Sequence, residues 1–256
     1  MRIVDLSQPV SANAGEPVRV RIDVLSHEAG AAVLGASHGL TRADFPDGYA
    51  ISMETVTLTS HSATHIDAPL HYGPRCEGKP ARSIDVLPLD WFYAPGVVLA
   101  FETDPELGAI GAREMRLALK TLPQQIAPGT VVLCNVGAGR LWGTPQYFTQ
   151  FRGIGPDALE VLFALGVRVV GTDAFGMDPP FHRMLDAYRA TGDKSHLWPA
   201  HVLGRSREYC QIERLGGLDA LPRASGFRVA CFPIRLENGG AAWTRAVAIF
   251  DDEPAP

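Results

Sequence analysis

The densest chemistry in this chain lies in one stretch of eleven residues, His61-Ser-Ala-Thr-His65-Ile-Asp67-Ala-Pro-Leu-His71. It gathers three of the chain's eight histidines and one aspartate. Positions 61, 65, 67 and 71 share one parity. If the backbone runs extended from a strand over Ser52–Ser60, all four side chains project to the same side. A regular helix, turning about 100° per residue, brings His61 and His65 together but swings Asp67 away. Pro69 also argues against a helix. The expectation is a strand end passing into a structured loop that presents a polar cluster. Imidazole and carboxylate together suit zinc, manganese or iron(II). Two histidines and one carboxylate leave coordination positions open, as a catalytic site requires. A solvated polar turn would account for one such histidine but not for four such groups beside apolar strands.

The elements that must position this cluster are short. Runs rich in β-branched residues at Ser52–Ser60, Gly96–Phe101, Thr130–Val136, Val167–Thr172, Phe227–Leu236 and Arg245–Phe250 are bounded by Gly, Pro, Asp or Asn and read as strands. Gly111–Leu122 and Asp157–Leu165 read as helices, the second with Pro156 at its start and Gly166 at its end. Glu208–Leu215 reads as a third short helix or an extended arm. The first fifty residues and Asp178–Arg207 read as long irregular loops, which in a compact domain are usually functional or shared between subunits. The sum is a mixed α/β chain with a predominantly β core, expected as one domain over residues 1–256.

Composition narrows the class. The chain has 256 residues, 46% hydrophobic and 20% charged, with a formal net charge of −5. That is the profile of an ordinary globular protein and sets it against polyanionic partners, both nucleic acid and anionic membranes. The N-terminus lacks the apolar core of a signal peptide, and no apolar run approaches the roughly 18 residues of a membrane span. Cys76, Cys134, Cys210 and Cys231 lie far apart and form no Cys-x-x-Cys pair. They read as reduced, mostly packed thiols of a cytoplasmic protein acting on a small molecule. The tail Asp251–Pro256 reads as frayed.

HSATHIDAPLH resembles the signature His-x-Gly-Thr-His-x-Asp-x-Pro-x-His of the cyclase family, which contains bacterial kynurenine formamidase and isatin hydrolase. Every fixed position matches except Ala63, where the family has Gly. A second block agrees: the family carries a His followed twelve residues later by a Glu, near Ile-Glu-x-Leu, as do His201 and Glu213 in AHVLGRSREYCQIERL. FRGIGPDALEVLFALGVRVVGTDAFGMD resembles the family's helix, strand and Gly-x-Asp turn, and IVDLSQPV its opening strand. The resemblance covers essentially the whole chain. It implies a β-rich swivelling β/β/α core, assembled as homodimers or homotetramers, with an N-terminal segment often near a neighbour's active site.

For the site, the resemblance implies that His61, His65 and Asp67 bind one divalent metal, Zn²⁺ or Mn²⁺. Asp67 would bridge to a second ion held by His201, with Glu213 contacting both and His71 donating and accepting the proton. Isatin hydrolase-like members bind one manganese. Glu213 favours two ions per subunit, because it adds the anionic charge that two close cations require. The departure at Ala63 is expected to reflect tight packing, where a methyl is a small change, rather than a left-handed backbone. The implied activity is hydrolysis of an amide, cyclic amide or lactone, with a cyclase or lyase on a polyketide-like or other pathway intermediate as the alternative.

Other residues carry weaker signals. Phe175, Phe181 and Trp198 are candidates for an apolar substrate wall. Asp173 and Asp178 follow a strand, Asp173 being read as a backbone acceptor or as the group that orients a ligand histidine. His182, His196, His38, Arg75, Lys79, Trp243 and Arg245 are set aside. The formamidase branch places a tryptophan in its N-terminal region, whereas here the first is Trp91. That disfavours N-formylkynurenine and suggests a different acyl, lactone or cyclic amide. The sequence shows no nucleophilic Cys–His signal, which argues against an acyl-enzyme of that kind.

Overall fold

The computed structural model describes residues 1–251. The expected fraying of the tail falls almost wholly on 252–256, outside the described residues. Two compact units are present: Ser11–Thr59, and Met1–Val10 together with the chain from Ser60 onward. In chain order the strands are β1 (Arg2–Asp5), β2 (Arg21–Leu25), β3 (Met53–Thr57), β4 (His65–Asp67), β5 (Arg75–Cys76), β6 (Lys79–Pro80), β7 (Tyr93–Ala100), β8 (Val131–Asn135), β9 (Val169–Thr172), β10 (Cys210–Glu213), β11 (Phe227–Ala230), β12 (Ala241–Trp243) and β13 (Val247–Phe250). The helices are α1 (His27–Ala36), α2 (Pro69–Tyr72), α3 (Ala112–Lys120), α4 (Pro156–Phe163), α5 (Phe181–Thr191) and α6 (Pro199–Leu203).

Nine strands of the larger unit form one mixed sheet in the order β1-β13-β11-β7-β8-β9-β10-β4-β12. Its centre, β7-β8-β9-β10, is parallel and its flanks are antiparallel. Side chains alternate between faces along a strand, so β8 feeds two cores. Val132 and Cys134 pack with Met115 of α3 and Leu159 and Leu162 of α4. Val131 and Leu133 pack on the opposite face with Ile66, Ile212, Val229 and Phe250. Burial on both faces is why β8 reads as a continuous apolar run rather than an alternating one. Helix α4 begins at Pro156, whose missing N–H costs nothing there. It ends before Gly166, which takes φ 81°.

The smaller unit contains the hairpin β2–β3 and helix α1; β3 falls within the expected strand Ser52–Ser60, whereas β2 and α1 lie where a loop is expected. Ser26 caps α1 by accepting from the Ala29 N–H. Two glycines hide the helix from its pattern, and Gly30 is needed for packing, since a Cβ there would lie 2.4 Å from the Ile51 carbonyl oxygen. Two further expectations change and one open alternative closes. Asp178–Arg207 holds α5 and α6 rather than an irregular loop; α5 is a surface helix with only Met184 buried, so its apolar periodicity is faint. Of the two readings of Glu208–Leu215, the extended arm holds: its residues Cys210–Glu213 form strand β10, paired on both sides. The strand over Phe227–Leu236 stops at Ala230. The cysteines are all buried and free of disulfides. No helix among the described residues is long and apolar enough to cross a membrane.

Leu133 is fully buried at the middle of β8. Leu133→Ala is expected to cost about 2–5 kcal/mol, seen as a lower urea midpoint with an unchanged slope.

Candidate metal centre

Strand β4 is only three residues long and lies between β10 and β12. His65 and Asp67 point to one face, while Ile66 points into the core on the other. The register places Glu213 opposite His65 on one side and Trp243 opposite it on the other. Two carboxylates and an imidazole are therefore fixed side by side by backbone pairing alone. The extended run expected across 61–71 covers only these three residues. His61 lies in the turn before β4, and His71 lies on α2, a single helical turn that opens with Pro69 at its first position. Proline is compatible with a helix there, because the N–H it lacks would have no partner inside the helix.

The four side chains nevertheless converge, joined by two from distant sequence. Asp67 Oδ1 lies 3.0 Å from His61 Nδ1 and 3.5 Å from His65 Nε2. Its Oδ2 lies 3.9 Å from His71 Nε2 and 3.8 Å from His201 Nε2. Glu213 likewise straddles the cluster, with Oε2 3.6 Å from His65 Nε2 and Oε1 3.9 Å from His201 Nε2. Ligand atoms close enough to share one cation occur in two sets, His61–Asp67–His71 and His65–Asp67–Glu213. Asp67 belongs to both. His71, expected as the acid–base group alone, thus stands within reach of a cation as well.

Polar satisfaction tests whether a cation fits. The His65 ring donates from Nδ1 to the Ala63 carbonyl at 2.9 Å, which leaves a lone pair on Nε2 facing the carboxylates. That Nε2 and both Asp67 oxygens are buried and make no hydrogen bond; the His61 approach at 3.0 Å is close but not aligned as one. A desolvated carboxylate without donors is costly, and a divalent cation removes that cost. The protonation states agree. Burial drives His65 down to about 3 and His71 to about 4, leaving both neutral at pH 7. Burial and the charge of Asp67 push Glu213 up to about 7, and a cation would restore its carboxylate. Burial opposes ionisation of Asp67 too, but the histidines around it hold its carboxyl well below the usual range.

His201 is placed by Asp178. The Asp178 carboxylate accepts from the Ala200 N–H at 2.6 Å, from the His201 N–H at 3.3 Å, and from His201 Nδ1 through a short bond. It both caps α6 and turns Nε2 of His201 toward Asp67. This is the carboxylate–histidine support typical of metal sites. Of the two aspartates that flank AFGM, Asp173 takes the other role, accepting from the Val136 and Gly139 N–H groups. The choice between them depends on α6, which local sequence does not announce. Tyr72 packs edge-on against His201 with ring centroids 5.5 Å apart, and its hydroxyl donates to the Asp67 carbonyl. Gly204 admits that ring, since a Cβ there would lie 2.2 Å from it.

Ala63 overturns the packing explanation for its departure from glycine. Its φ is 52°, in the left-handed region, so the turn before β4 requires that backbone. The cost is about 1–2 kcal/mol for an L-residue. The geometry demands it because the Ala63 carbonyl must meet His65 Nδ1. Arg214, directly after Glu213, has φ 59°.

A cavity of about 230 Å³ opens onto the cluster. It is lined by His61, His71, His201 and Glu213, and by Phe175, Phe181, Trp198 and Arg214. Phe181 and Trp198 stack at 5.1 Å and are half exposed, at 49% and 46%. All three aromatic candidates therefore border the cavity. His182 and His196 line a different hollow, and Arg75 and Lys79 sit on the exposed β5–β6 hairpin. His65 and Asp67 are wholly buried, whereas the His71 side chain is 34% exposed and faces the opening. Asp178→Asn keeps an acceptor for α6 but loses the charge behind His201. It is expected to weaken Mn²⁺ or Zn²⁺ binding by about 10–100-fold, measured by calorimetric titration of metal-free protein.

Solved structures with this architecture carry a consistent description. An isatin hydrolase bound to the product analogue thioisatinate superimposes with a TM-score of 0.73, at 22% identity over 96% of this chain and 91% of that one. Isatin hydrolase A from Ralstonia solanacearum gives a TM-score of 0.73, at 20% identity over 98% of this chain and 92% of its own. A protein described as a "predicted metal-dependent hydrolase from Bacillus stearothermophilus" gives 0.62, at 17% identity over 96% and 97%. These likenesses establish the mixed α/β fold. The profile of the Cyclase family matches residues 4–179, a span that contains the whole His61–His71 motif. The chain belongs to the Cyclase family.

Proposed function

We propose that this chain is a metal-dependent hydrolase that cleaves the carbon–nitrogen bond of a small amide or cyclic amide, or a lactone, without an acyl-enzyme. The observation that carries the reading is the set of buried, donorless atoms, His65 Nε2 and both oxygens of Asp67, converging with Glu213, His61 and His201 beside a cavity. His61, His65 and Asp67 would hold one divalent ion, and Asp67, Glu213 and His201 a second. Both carboxylates present one oxygen to each side, which supports two ions, and the donors suit Zn²⁺ or Mn²⁺. A cation bound there supplies a water of lowered pKa and polarises the substrate carbonyl.

The protein's own groups do the rest. His71, whose side chain lines the cavity, would take the proton of the attacking water and return it to the leaving nitrogen or oxygen, a role worth typically 10²–10⁴-fold. His65, sealed in the sheet, has no such access, which separates the two roles by burial. Phe175, Phe181 and Trp198 would wall in an aromatic or cyclic substrate, and the cavity's size suits one ring rather than a large molecule. Arylformamidase-like chemistry and isatin-like ring opening both fit that description. The isatin hydrolase folds support the amide reading.

The chain would act in the cytoplasm, consistent with its four reduced thiols. It would work as a homodimer or homotetramer. The smaller unit leaves Ile22, Val24, Met53 and Val56 exposed, apolar surface that a second subunit would cover.

Turnover is expected on a panel of cyclic amides, aryl formamides and lactones, with a chelator abolishing it and Mn²⁺ or Zn²⁺ restoring it. His71→Ala is expected to lower kcat by about 10²–10⁴-fold while metal content by elemental analysis stays at wild-type stoichiometry. In ¹⁸O water the product should gain solvent oxygen. A metal-dependent product without that label would instead establish the cyclase or lyase alternative that the family's name suggests.

A further inference from the structure

Arg214 follows Glu213 directly, at the open position of the Ile-Glu-x-Leu block. Its left-handed backbone, φ 59°, is one that Gly or Asn adopts readily and a long side chain rarely does. The surroundings fix it there. Its N–H donates to the Ala174 carbonyl at 3.0 Å, and its own carbonyl accepts from Thr64 Oγ1. The side chain is as constrained as the backbone: Nε donates to the Phe175 carbonyl at 3.2 Å, and the guanidinium carbon lies 4.2 Å from the centre of the Phe175 ring. The residue is 6% exposed and lines the same cavity as His61, His71, His201 and Glu213. A strained backbone held by its neighbours at a cavity is where functional groups concentrate.

A guanidinium fixed over an aromatic ring is a planar fork suited to a carboxylate. We propose that Arg214 is the specificity residue of this site, docking a carboxylate that the substrate carries apart from the bond that is cut. The inference rests on the hydrolase reading for the reaction and narrows its substrates to small anionic amides or lactones. Charge supports it. Asp67, Glu213 and Asp178 bring three negative charges to the site, and with two divalent cations bound Arg214 helps to leave the cavity positive. A cavity of that sign and small volume favours an anion over a neutral isostere.

The test is equilibrium binding to manganese-loaded protein, with anthranilate and its neutral amide, 2-aminobenzamide, as probes in calorimetric titration. Wild type should bind anthranilate about tenfold or more tightly than the amide, the strength of a charge-assisted hydrogen bond. Arg214→Asn, whose side chain tolerates the left-handed backbone, should bring the ratio near one with metal stoichiometry and Tm retained. Arg214→Lys should keep part of the preference. The proposal is overturned if wild type shows no preference, or if the preference survives Arg214→Asn and so belongs to the cation alone. Turnover is scored separately. Preference without turnover of any amide or lactone upholds Arg214 and removes the hydrolase reading, and turnover without preference does the reverse.

Discussion

The structure is organised around two carboxylates withdrawn from water, of which Asp67 has no donor and Glu213 has the Met177 N–H at 2.8 Å. Asp67 is completely buried, Glu213 nearly so, and they share the imidazole of His65 between them. Burial first, and then the like charge of Asp67, drives Glu213 toward its neutral form. The sheet prevents relaxation by separation, because β4 and β10 are paired through the residues that carry these side chains. Backbone pairing thus imposes an electrostatic strain that a cation between the two carboxylates relieves. If the cluster were only a hydrogen-bonded polar network, Asp67 would need donors that this arrangement does not provide.

The histidines His201 and His71 come from elements outside the strand pair, and each is aimed by its own support. His201 sits on a helix too short to be stable alone. It is held by Asp178 at its N-terminus, by the Tyr209 hydroxyl donating to the Ala200 carbonyl, and by the Tyr72 ring that Gly204 admits. His71 rides on a single turn whose start is set by Pro69 and whose Leu70 and His71 N–H groups are taken by the Arg82 and Ala68 carbonyls. The rigid sheet therefore carries the charges, while short helices carry the imidazoles of His71 and His201 that line the cavity. This division places the less exposed groups where geometry is least free to change.

Much of this is legible in the sequence, and the failures have physical causes. His61, His65, Asp67 and His71 are close in sequence, so residue type alone groups them, and shared parity holds for the two that lie on β4. It fails at the flanks because a turn and a proline-led helix can converge side chains as well as an extended strand can. His201 and Glu213 are reachable only through the family's spacing, since nothing local links α6 to β10. The strands β7, β8 and β9 announce themselves by β-branched runs. Helices α1 and α5 do not: one contains glycines required by close contacts, and the other buries a single methionine. Asp178 is visible as a carboxylate after a strand but cannot be told from Asp173 without knowing where α6 falls.

Backbone strain points to the same centre from an independent direction. Six non-glycine residues among those described take a left-handed backbone, and three of them, Ala63, Trp198 and Arg214, lie within three residues of His61, His65, His201 or Glu213. Each re-aims the chain where a regular element would carry a ligand past its target: Ala63 at the entry to β4, Trp198 at the start of α6, Arg214 at the exit of β10. Two of the three are tied together, because Thr64, next to Ala63, donates its hydroxyl to the Arg214 carbonyl and accepts from the Gln8 N–H. The chain just after β1 thus fastens both turns at once. Left-handed alanine and arginine persist only where surrounding bonds outweigh their cost. The bonds that do so here join the ends of β4 and β10, the two strands that hold Asp67 against Glu213.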